Sequence, residues 1–436
     1  MTELGLITEK ERIDNTEYYP NLIKAYQTIN YELTIWHNNK SKKPDCFIST
    51  KKINETPVHE NIETFEIKGL KVKKYPSTAL EWIKAIIDDK KEEKYVFLSE
   101  GNRDVLCRDP NASLPLDIRI IRKIFYPVSN PSVGYAVIRR KIKTYFLEKV
   151  FKNCEALMTY QTDHDFHDVA VTTKGRKQPK IIINGTEGKK ILEDIKNYRV
   201  DFSIKQMFNE SVESYNVIGL LKGKDENKTV IVDCLYDSVF CQGTGDSAIG
   251  MGIVMGVAKY FNEHNITPKC NIKFCGFGGE EAGLRGVKYY VDNNSEENVT
   301  HVIDMNQVCS NQKWPRLTLN VIFNKLSFMN EIWPIIKDCN YSQRVGIKDI
   351  AKRWFPMGAP SDDKGFTWDR KDKNHKVKTV CFLEDFPWIA HHKDGMNHTT
   401  GDVFENVYWK DVEVLGEIVI KIVEHLTKQS EDRVCN

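Results

Sequence analysis

The chain has 436 residues, which is too long for one ordinary domain and predicts two or three domains. Hydrophobic residues make up 41% of it and aromatic residues 11%, so large cores can form and global disorder is excluded. The 63 Lys and Arg residues nearly balance the 61 Asp and Glu residues, which argues against nucleic acid or an anionic membrane as the main partner.

Export and membrane insertion are not predicted. The start, MTELGLITEKERIDN, lacks the apolar core of a signal peptide, and no run of about 18 apolar residues occurs. The 11 cysteines are scattered, unlike the dense frameworks of small secreted proteins. We therefore expect a cytoplasmic protein whose cysteines are mostly reduced and buried, although several Asn-x-Ser/Thr sequons leave an extracellular location open. The cysteines in apolar runs are Cys234, Cys275, Cys309 and Cys381.

The first half of the chain predicts a β-rich unit of short elements. Apolar residues at helical spacing predict a helix over residues 18–37. Further strands are predicted at 72–74, 95–98, 136–138, 156–160 and 180–184, and helices at 78–88, 143–152 and 187–196. Turn signals at Asn130-Pro131 and Asn184-Gly185 separate some of them.

From about residue 216 the pattern becomes a regular alternation of strands and helices. Strands are predicted at 229–235, 271–277, 301–308, 317–323 and 378–383, and helices at 247–264, 284–291, 326–336 and 409–426. This alternation predicts βαβ units, and hence an α/β fold with a doubly wound, mostly parallel sheet. In such sheets the functional site lies just beyond the carboxyl ends of the strands.

Carboxylates and histidines lie at or just after the ends of four predicted strands. Converging on one edge of the sheet, the negative charges would repel one another unless a cation lay between them. Mixed Asp, Glu and His ligands are typical of catalytic zinc sites, which keep one position open for water. The residues concerned are Asp237, Asp246, Glu280, Glu281, Asp304, His391, His392 and His398.

The adjacent pair Glu280-Glu281 is the most informative feature of this set. One carboxylate of such a pair can bind a metal ion while the other accepts a proton. An exposed acidic turn is the alternative, but the position after a buried strand and Gly278-Gly279 favours a functional pair. A dinucleotide site is disfavoured because Asp246 would lie where the pyrophosphate must bind. The chain also lacks the G-x-S-x-G and H-E-x-x-H motifs of serine hydrolases and thermolysin-like proteases.

Residues from about 216 to 426, roughly half of the chain, resemble the M28 family of zinc peptidases. The motifs occur in the family's order: YDS at 236–238, GDSAIG at 245–250, FGGEEAGLRG at 277–286, IDM at 303–305, SDDKGF at 361–366 and HTTGD at 398–402. Residues from about 60 to 205 resemble the protease-associated domain that is often inserted in this family, with PKIIING at 179–185 as the best local match. The implied organisation is an N-terminal helix packing on the catalytic domain in 1–58, a protease-associated-like domain in 59–205 and a peptidase domain of the zinc exopeptidase type in 206–436.

The resemblance also implies roles for individual residues and a peptide as the substrate. Asp246, Glu281 and His398 would hold a zinc ion, and Asp304 would belong to a second metal site. Asp246 would either bridge the two metals or serve one. Asp237 would orient a metal-binding histidine. Glu280 would be the general base that takes a proton from the attacking water and passes it to the leaving amine.

Two departures from the family pattern affect the expected site: the first weakens the second metal site, and the second affects substrate or oxyanion contacts. The histidine expected two residues before Asp237 is Leu235, which cannot bind zinc, and the histidine of the family's S-D-H segment is replaced by Asp363. We therefore expect one zinc ion, with the second weak or absent.

Three hypotheses follow. The first is a one-zinc exopeptidase that uses Asp246, Glu281, His398 and water, with Glu280 as the base, and a glutaminyl cyclase-like transferase is its variant. The second is a two-metal aminopeptidase in which His391 or His392 replaces the missing ligand. The third is a catalytically silent binding or scaffold protein, which the intact Glu280-Glu281 pair disfavours.

Overall fold

The computed structural model describes most of the predicted peptidase region and selected parts of the first half of the chain. The described residues are 7–13, 25–37, 46–49, 62–76, 79–90, 93–100, 151–160, 180–209, 214–238, 242–281, 284–309, 318–339, 349–356, 359, 361–367, 377–384 and 401–428. The chain forms two compact units: the first comprises Met1–Tyr18, Glu213–Phe386 and Gly395–Asn436, and the second comprises Tyr19–Val212 and Pro387–Asp394.

Strands and helices are numbered in chain order. The strands are β1 (Ile7–Ile13), β2 (Ala25–His37), β3 (Cys46–Ser49), β4 (Ile62–Lys74), β5 (Tyr95–Glu100), β6 (Cys154–Tyr160), β7 (Lys180–Ile182), β8 (Tyr198–Asn209), β9 (Ser214–Leu221), β10 (Asp225–Leu235), β11 (Cys270–Phe277), β12 (Val299–Met305), β13 (Thr318–Phe323), β14 (Asp349–Trp354) and β15 (Lys378–Glu384). The helices are α1 (Ala79–Asp89), α2 (Gly185–Glu193), α3 (Ile249–Glu263), α4 (Arg285–Asn293), α5 (Leu326–Asp338), α6 (Asp363–Thr367) and α7 (Trp409–Thr427).

The first unit is built on an 8-stranded sheet in the order β1-β9-β11-β10-β12-β15-β13-β14. The central pairs β11-β10, β10-β12 and β12-β15 are parallel, whereas β1 and β9 pair antiparallel at one edge. The predicted α/β class with a mostly parallel sheet is therefore confirmed. The carboxyl ends of β10, β11, β12 and β15 consequently meet at one edge.

Helices cover both faces of this sheet. Apolar residues of α3, α5 and α7 pack with Val230 and Val232 of β10 on one face. On the other face, Ile231 of the same strand packs with apolar residues of α4 and α6. Because successive side chains of β10 enter two different cores, this strand carries the continuous apolar run of a strand buried on both faces.

The second unit contains a 7-stranded sheet in the order β3-β2-β8-β4-β5-β6-β7. Its core includes Val96, Met158 and Val200, which are fully buried. Helix α2 follows the predicted Asn184-Gly185 turn, and the side chain of Asn184 caps it by accepting a hydrogen bond from the Glu187 N–H at 2.8 Å.

The helix predicted over residues 18–37 is wrong, because Ala25–His37 is strand β2 and pairs antiparallel with β8. The segment is rich in β-branched and aromatic residues, and Ile29, Tyr31, Leu33 and Ile35 also alternate with a period of two. The packing of residues 1–58 is corrected accordingly: β1 joins the first unit by pairing with β9, while β2 and β3 belong to the second. The strand predicted at 136–138 and most of the helix predicted at 143–152 lie outside the described residues.

Two further predictions concern the cysteines and membrane insertion. Cys234, Cys275, Cys309 and Cys381 are buried thiols, as predicted from the apolar runs that contain them. Within the described parts of the chain, no helix is both long and apolar enough to cross a membrane.

His301, at the start of β12, makes folding stability dependent on pH. Its imidazole is partly buried against the ring of Phe328, with the two ring centroids 5.2 Å apart. Burial lowers the pKa of His301 to about 4, and the positive charge of Lys378 acts in the same direction. Glu331 opposes this shift, while His425 and Lys325 add to it.

We predict that His301→Gln reduces the loss of stability on acidification. The ordinary imidazole pKa is near 6.5, so below that pH the unfolded chain gains a proton that the folded chain does not bind until about pH 4. This difference removes about 1–2 kcal/mol of the free energy of unfolding between pH 7 and pH 5. Urea denaturation at both pH values should show a smaller decrease in the variant than in the parent protein. The exposed His264→Gln control should follow the parent, and an unchanged decrease in His301→Gln would contradict the assignment.

Candidate active site

The turn between β11 and α4 presents Glu280 and Glu281 at the carboxyl edge of the sheet. Backbone hydrogen bonds close it, from the Leu284 N–H to the Glu280 carbonyl at 2.8 Å and from the Arg285 N–H to the Gly279 carbonyl at 3.0 Å. Gly279 has a φ of 70°, a left-handed conformation that glycine adopts without strain. The turn therefore fixes the backbone from which both carboxylates extend.

Asn216 of β9 ties the base of this turn to the sheet. Its side-chain oxygen accepts from the Gly278 N–H at 3.2 Å, and its side-chain amide donates to the Gly286 carbonyl at 2.9 Å. A Cβ atom at Gly278 would lie 2.6 Å from the Tyr215 carbonyl oxygen. Glycine is thus needed at 278 because the backbone there lies close to Tyr215, and at 279 because its φ is positive.

Asp237, the second residue after β10, also holds this turn. Its Oδ1 accepts from the Glu280 N–H at 3.0 Å and its Oδ2 from the Glu281 N–H at 3.2 Å. Burial raises the pKa of Asp237, while these two hydrogen bonds lower it. The carboxylate expected to orient a metal-binding histidine is therefore engaged with backbone, and the histidine position is occupied by Leu235, which is fully buried among apolar residues.

Asp246 lies in the irregular turn that precedes α3 and is 4% exposed. The carboxylate of Asp402 fixes this turn by accepting from the Gly245 N–H at 2.6 Å and from the Asp246 N–H at 3.2 Å. Ser247 adds a hydrogen bond from its Oγ to the Leu235 carbonyl at 2.7 Å. The Asp246-Ser247 peptide bond is cis.

Carboxylates crowd together at this edge of the sheet. Burial raises the pKa of Glu280 well above its ordinary value, and the negative charges of Glu281, Asp246, Asp237 and Asp304 raise it further. Such crowding of like charges is unfavourable without a cation. The described residues supply carboxylate oxygens, a donor type that zinc accepts, whereas the imidazole expected to complete the set lies outside the described residues.

The structure brings Asp304 together with residues that were not predicted as its partners. Its Oδ2 accepts from the Asp363 N–H at 3.2 Å. Potential ligand atoms of Asp304, Asp363 and Cys381 all lie within 4.8 Å of one another. Among the described residues, Asp246, Glu281 and Asp304 form no comparable group of three.

Asp363, which stands where the family's S-D-H segment has a histidine, is fully buried. Its Oδ2 accepts from the Ala359 N–H at 3.1 Å and from the Thr379 hydroxyl at 2.9 Å. Burial raises its pKa well above the ordinary value, and Asp304 acts in the same direction. Asp363 therefore belongs to the interior beneath the candidate site.

Sequence reasoning missed two acids and could not place one ligand. Asp402 was noted only as part of a motif, and Asp233 was overlooked although it is an acidic residue inside the apolar run of β10. His398, together with His391 and His392, lies outside the described residues, so its role as a zinc ligand stays a prediction.

Residues 216–423 match Peptidase family M28. The chain is 23% identical over 358 residues to aminopeptidase YwaD of Bacillus subtilis, a match that covers 77% of this chain and 73% of that protein. A shorter match of 90 residues is 33% identical to leupeptin-inactivating enzyme 1 of Streptomyces exfoliatus and covers 20% of each chain. The family match coincides with the region in which the sequence motifs were found.

Solved structures share the fold across both units. A zinc aminopeptidase from Bacillus subtilis superposes with a TM-score of 0.56 at 16% identity, covering 99% of this chain and 87% of that one. A peptidase M28 precursor from Shewanella amazonensis gives a TM-score of 0.60 at 16% identity, covering 98% of this chain and 86% of that one.

We predict that Gly278→Ala destabilises the first unit, because its Cβ would lie too close to the Tyr215 carbonyl oxygen. Overpacking of this kind costs about 1–3 kcal/mol of the free energy of unfolding, which urea denaturation would measure. The matched control is Gly256→Ala, at a position in α3 where a Cβ meets nothing within 4 Å. This control should be neutral or more stable by up to about 1 kcal/mol. Equal stability of the two variants would contradict the tight packing at Gly278.

Proposed function

We propose that the first unit is a zinc-dependent exopeptidase of the aminopeptidase type, which removes residues from the free amino end of peptides. The match of residues 216–423 to Peptidase family M28 supports peptide hydrolysis. The observation that carries the proposal is the Glu280-Glu281 turn, held by Asp237 at the carboxyl edge of the sheet. The printed names of the similar aminopeptidases support the amino-end specificity.

The zinc ion would be held by Asp246, Glu281 and His398. Zinc, when bound, supplies a positive charge that polarises the carbonyl group of the scissile peptide bond. Asp402 contributes by fixing the backbone of Asp246, and Asp237 contributes by fixing the backbone of Glu281. Both ligands are thus positioned by carboxylates that are already engaged with N–H groups.

Glu280 would act as the general base. Its carboxylate takes a proton from the attacking water, whose oxygen forms a bond to the carbonyl carbon. The bond between this carbon and the amide nitrogen then breaks, and Glu280 delivers its proton to that nitrogen, so that the new amine leaves neutral.

A single zinc ion at this edge is proposed because Leu235 supplies no ligand for a second one there. This substitution also favours one alternative, a catalytically silent binding protein that retains the fold. The two functions differ in the need for Glu280, since a silent protein has no reaction for a base to assist.

We further propose that the second unit is a protease-associated-like domain. One support is the separate 7-stranded sheet of the second unit. The other is its succession of a strand, the Asn184-Gly185 turn and α2, whose sequence resembles that domain. A cytoplasmic location stays a prediction from the amino-acid sequence.

The decisive experiment measures zinc per chain and the release of free amino acids from short peptides by four proteins. Glu280→Gln should keep the zinc content of the parent protein and lose about 10²- to 10⁴-fold in kcat, because it removes only the base. Glu281→Gln should lose one zinc ion per chain together with the activity. The exposed Glu296→Gln control should match the parent in both measurements.

Peptides with an acetylated amino end test the exopeptidase assignment and should not be cleaved. Parent-like activity of Glu280→Gln would contradict the role of the base. A parent protein that cleaves no peptide, with a zinc content unchanged in Glu281→Gln, would favour the silent binding protein.

A further inference from the structure

We propose that the first unit contains a second, interior site for a zinc-class divalent cation, formed by Asp304, Asp363 and Cys381. This site is separate from the zinc site proposed at the edge of the sheet and does not rest on the proposed function. It would lie between the sheet and α6, on the face opposite α3 and α7.

Strand register places the acids and the thiol in one row. Asp233 of β10 is opposite Asp304 of β12, and Asp304 is in turn opposite Cys381 of β15. All three alternate with residues that face the core of α3, α5 and α7, so they occupy the other face. Asp363, the first residue of α6, adds its carboxylate from above the row.

The distances among these groups are short enough for shared coordination. Potential ligand atoms of Asp304, Asp363 and Cys381 lie within 4.8 Å of one another, and all three residues are fully buried. A modest contraction would bring two carboxylate oxygens and a sulfur to the spacing around a tetrahedral zinc ion, whose bonds are about 2.0–2.3 Å long.

Two neighbouring carboxylates supply an independent indication of a missing positive charge. Asp233 and Asp362 are fully buried, and both side-chain oxygens of each accept no hydrogen bond from any described residue. Oδ1 of Asp304 and Oδ1 of Asp363 likewise accept no hydrogen bond from a described residue. Buried carboxylate oxygens without partners are rare in folded proteins and require a compensating group.

Protons could relieve part of the repulsion, because a protonated carboxyl group can donate to a neighbouring carboxylate. Both oxygens of Asp233 nevertheless accept no hydrogen bond from a described residue. One divalent cation would instead offset several negative charges at once and occupy the oxygens that lack partners. A divalent cation and a set of proton-sharing acids are therefore the two states that the experiment below distinguishes, and we propose the cation.

The ligand types select the class of cation. A cysteine thiolate favours zinc and similar borderline or soft ions, whereas magnesium and calcium prefer ligand sets made of oxygen alone. Binding would convert the Cys381 thiol to a thiolate and release one proton. The replacement of the family's histidine by Asp363 provides one of the two carboxylate ligands, so the site depends on a residue in which this chain departs from the family pattern.

Cobalt substitution tests the proposal with a readout that the edge site does not give. The full-length chain would be produced in cobalt-containing medium and dialysed, and its cobalt content and near-ultraviolet absorption measured. A cobalt–thiolate bond gives a sulfur-to-metal charge-transfer band, which the carboxylate and imidazole ligands of the edge site lack. We expect this band in the parent protein. Cys381→Ser should lose the band and bind one cobalt ion fewer per chain.

Two control variants separate this site from other cysteines and from the proposed function. Cys339→Ser, at a buried thiol in the C-terminal turn after α5, should keep the band. Glu281→Gln should also keep it, even where peptide hydrolysis is lost. If Cys381→Ser does not fold, Asp363→Asn should show the loss of the band instead. A parent protein without the band, or a band that persists in folded Cys381→Ser, would overturn the proposal.

Discussion

Repulsion among buried carboxylates is the constraint on which the candidate site depends. At the edge of the sheet, Glu280 is surrounded by the negative charges of Glu281, Asp246 and Asp237. Beneath that edge, Asp362 is fully buried and interacts with both Glu280 and Asp304. The fold could relieve this repulsion by binding protons or cations, and carboxylate oxygens without partners in the described interior favour cations.

Acidic side chains serve two different purposes in this arrangement. Asp237 and Asp402 accept pairs of backbone N–H groups and so act as fixed supports for the turns that present Glu280, Glu281 and Asp246. Their charges are partly satisfied by those N–H dipoles. In the proposed site, the presented carboxylates bind the metal ion or accept the proton, so support and chemistry are divided between different residues.

Much of the first unit could be predicted because its sequence signals are local. The apolar run of β10 and the helical period of α3 and α7 gave elements close to their observed bounds. Strand β2 was mistaken for a helix because its apolar residues satisfy both periods, and pairing with β8 decides between them. The grouping of Asp304 with Cys381 could not be predicted, since it depends on the register between two strands that lie far apart in the sequence.

The central claim is that metal ions neutralise the carboxylates at and beneath the sheet edge. Anomalous diffraction at the zinc absorption edge, from crystals of the full chain grown with zinc, tests it most directly. The account predicts one anomalous peak beside Asp246 and Glu281 and another among Asp304, Asp363 and Cys381. Crystals in which these side chains are well ordered but neither peak is present would contradict it.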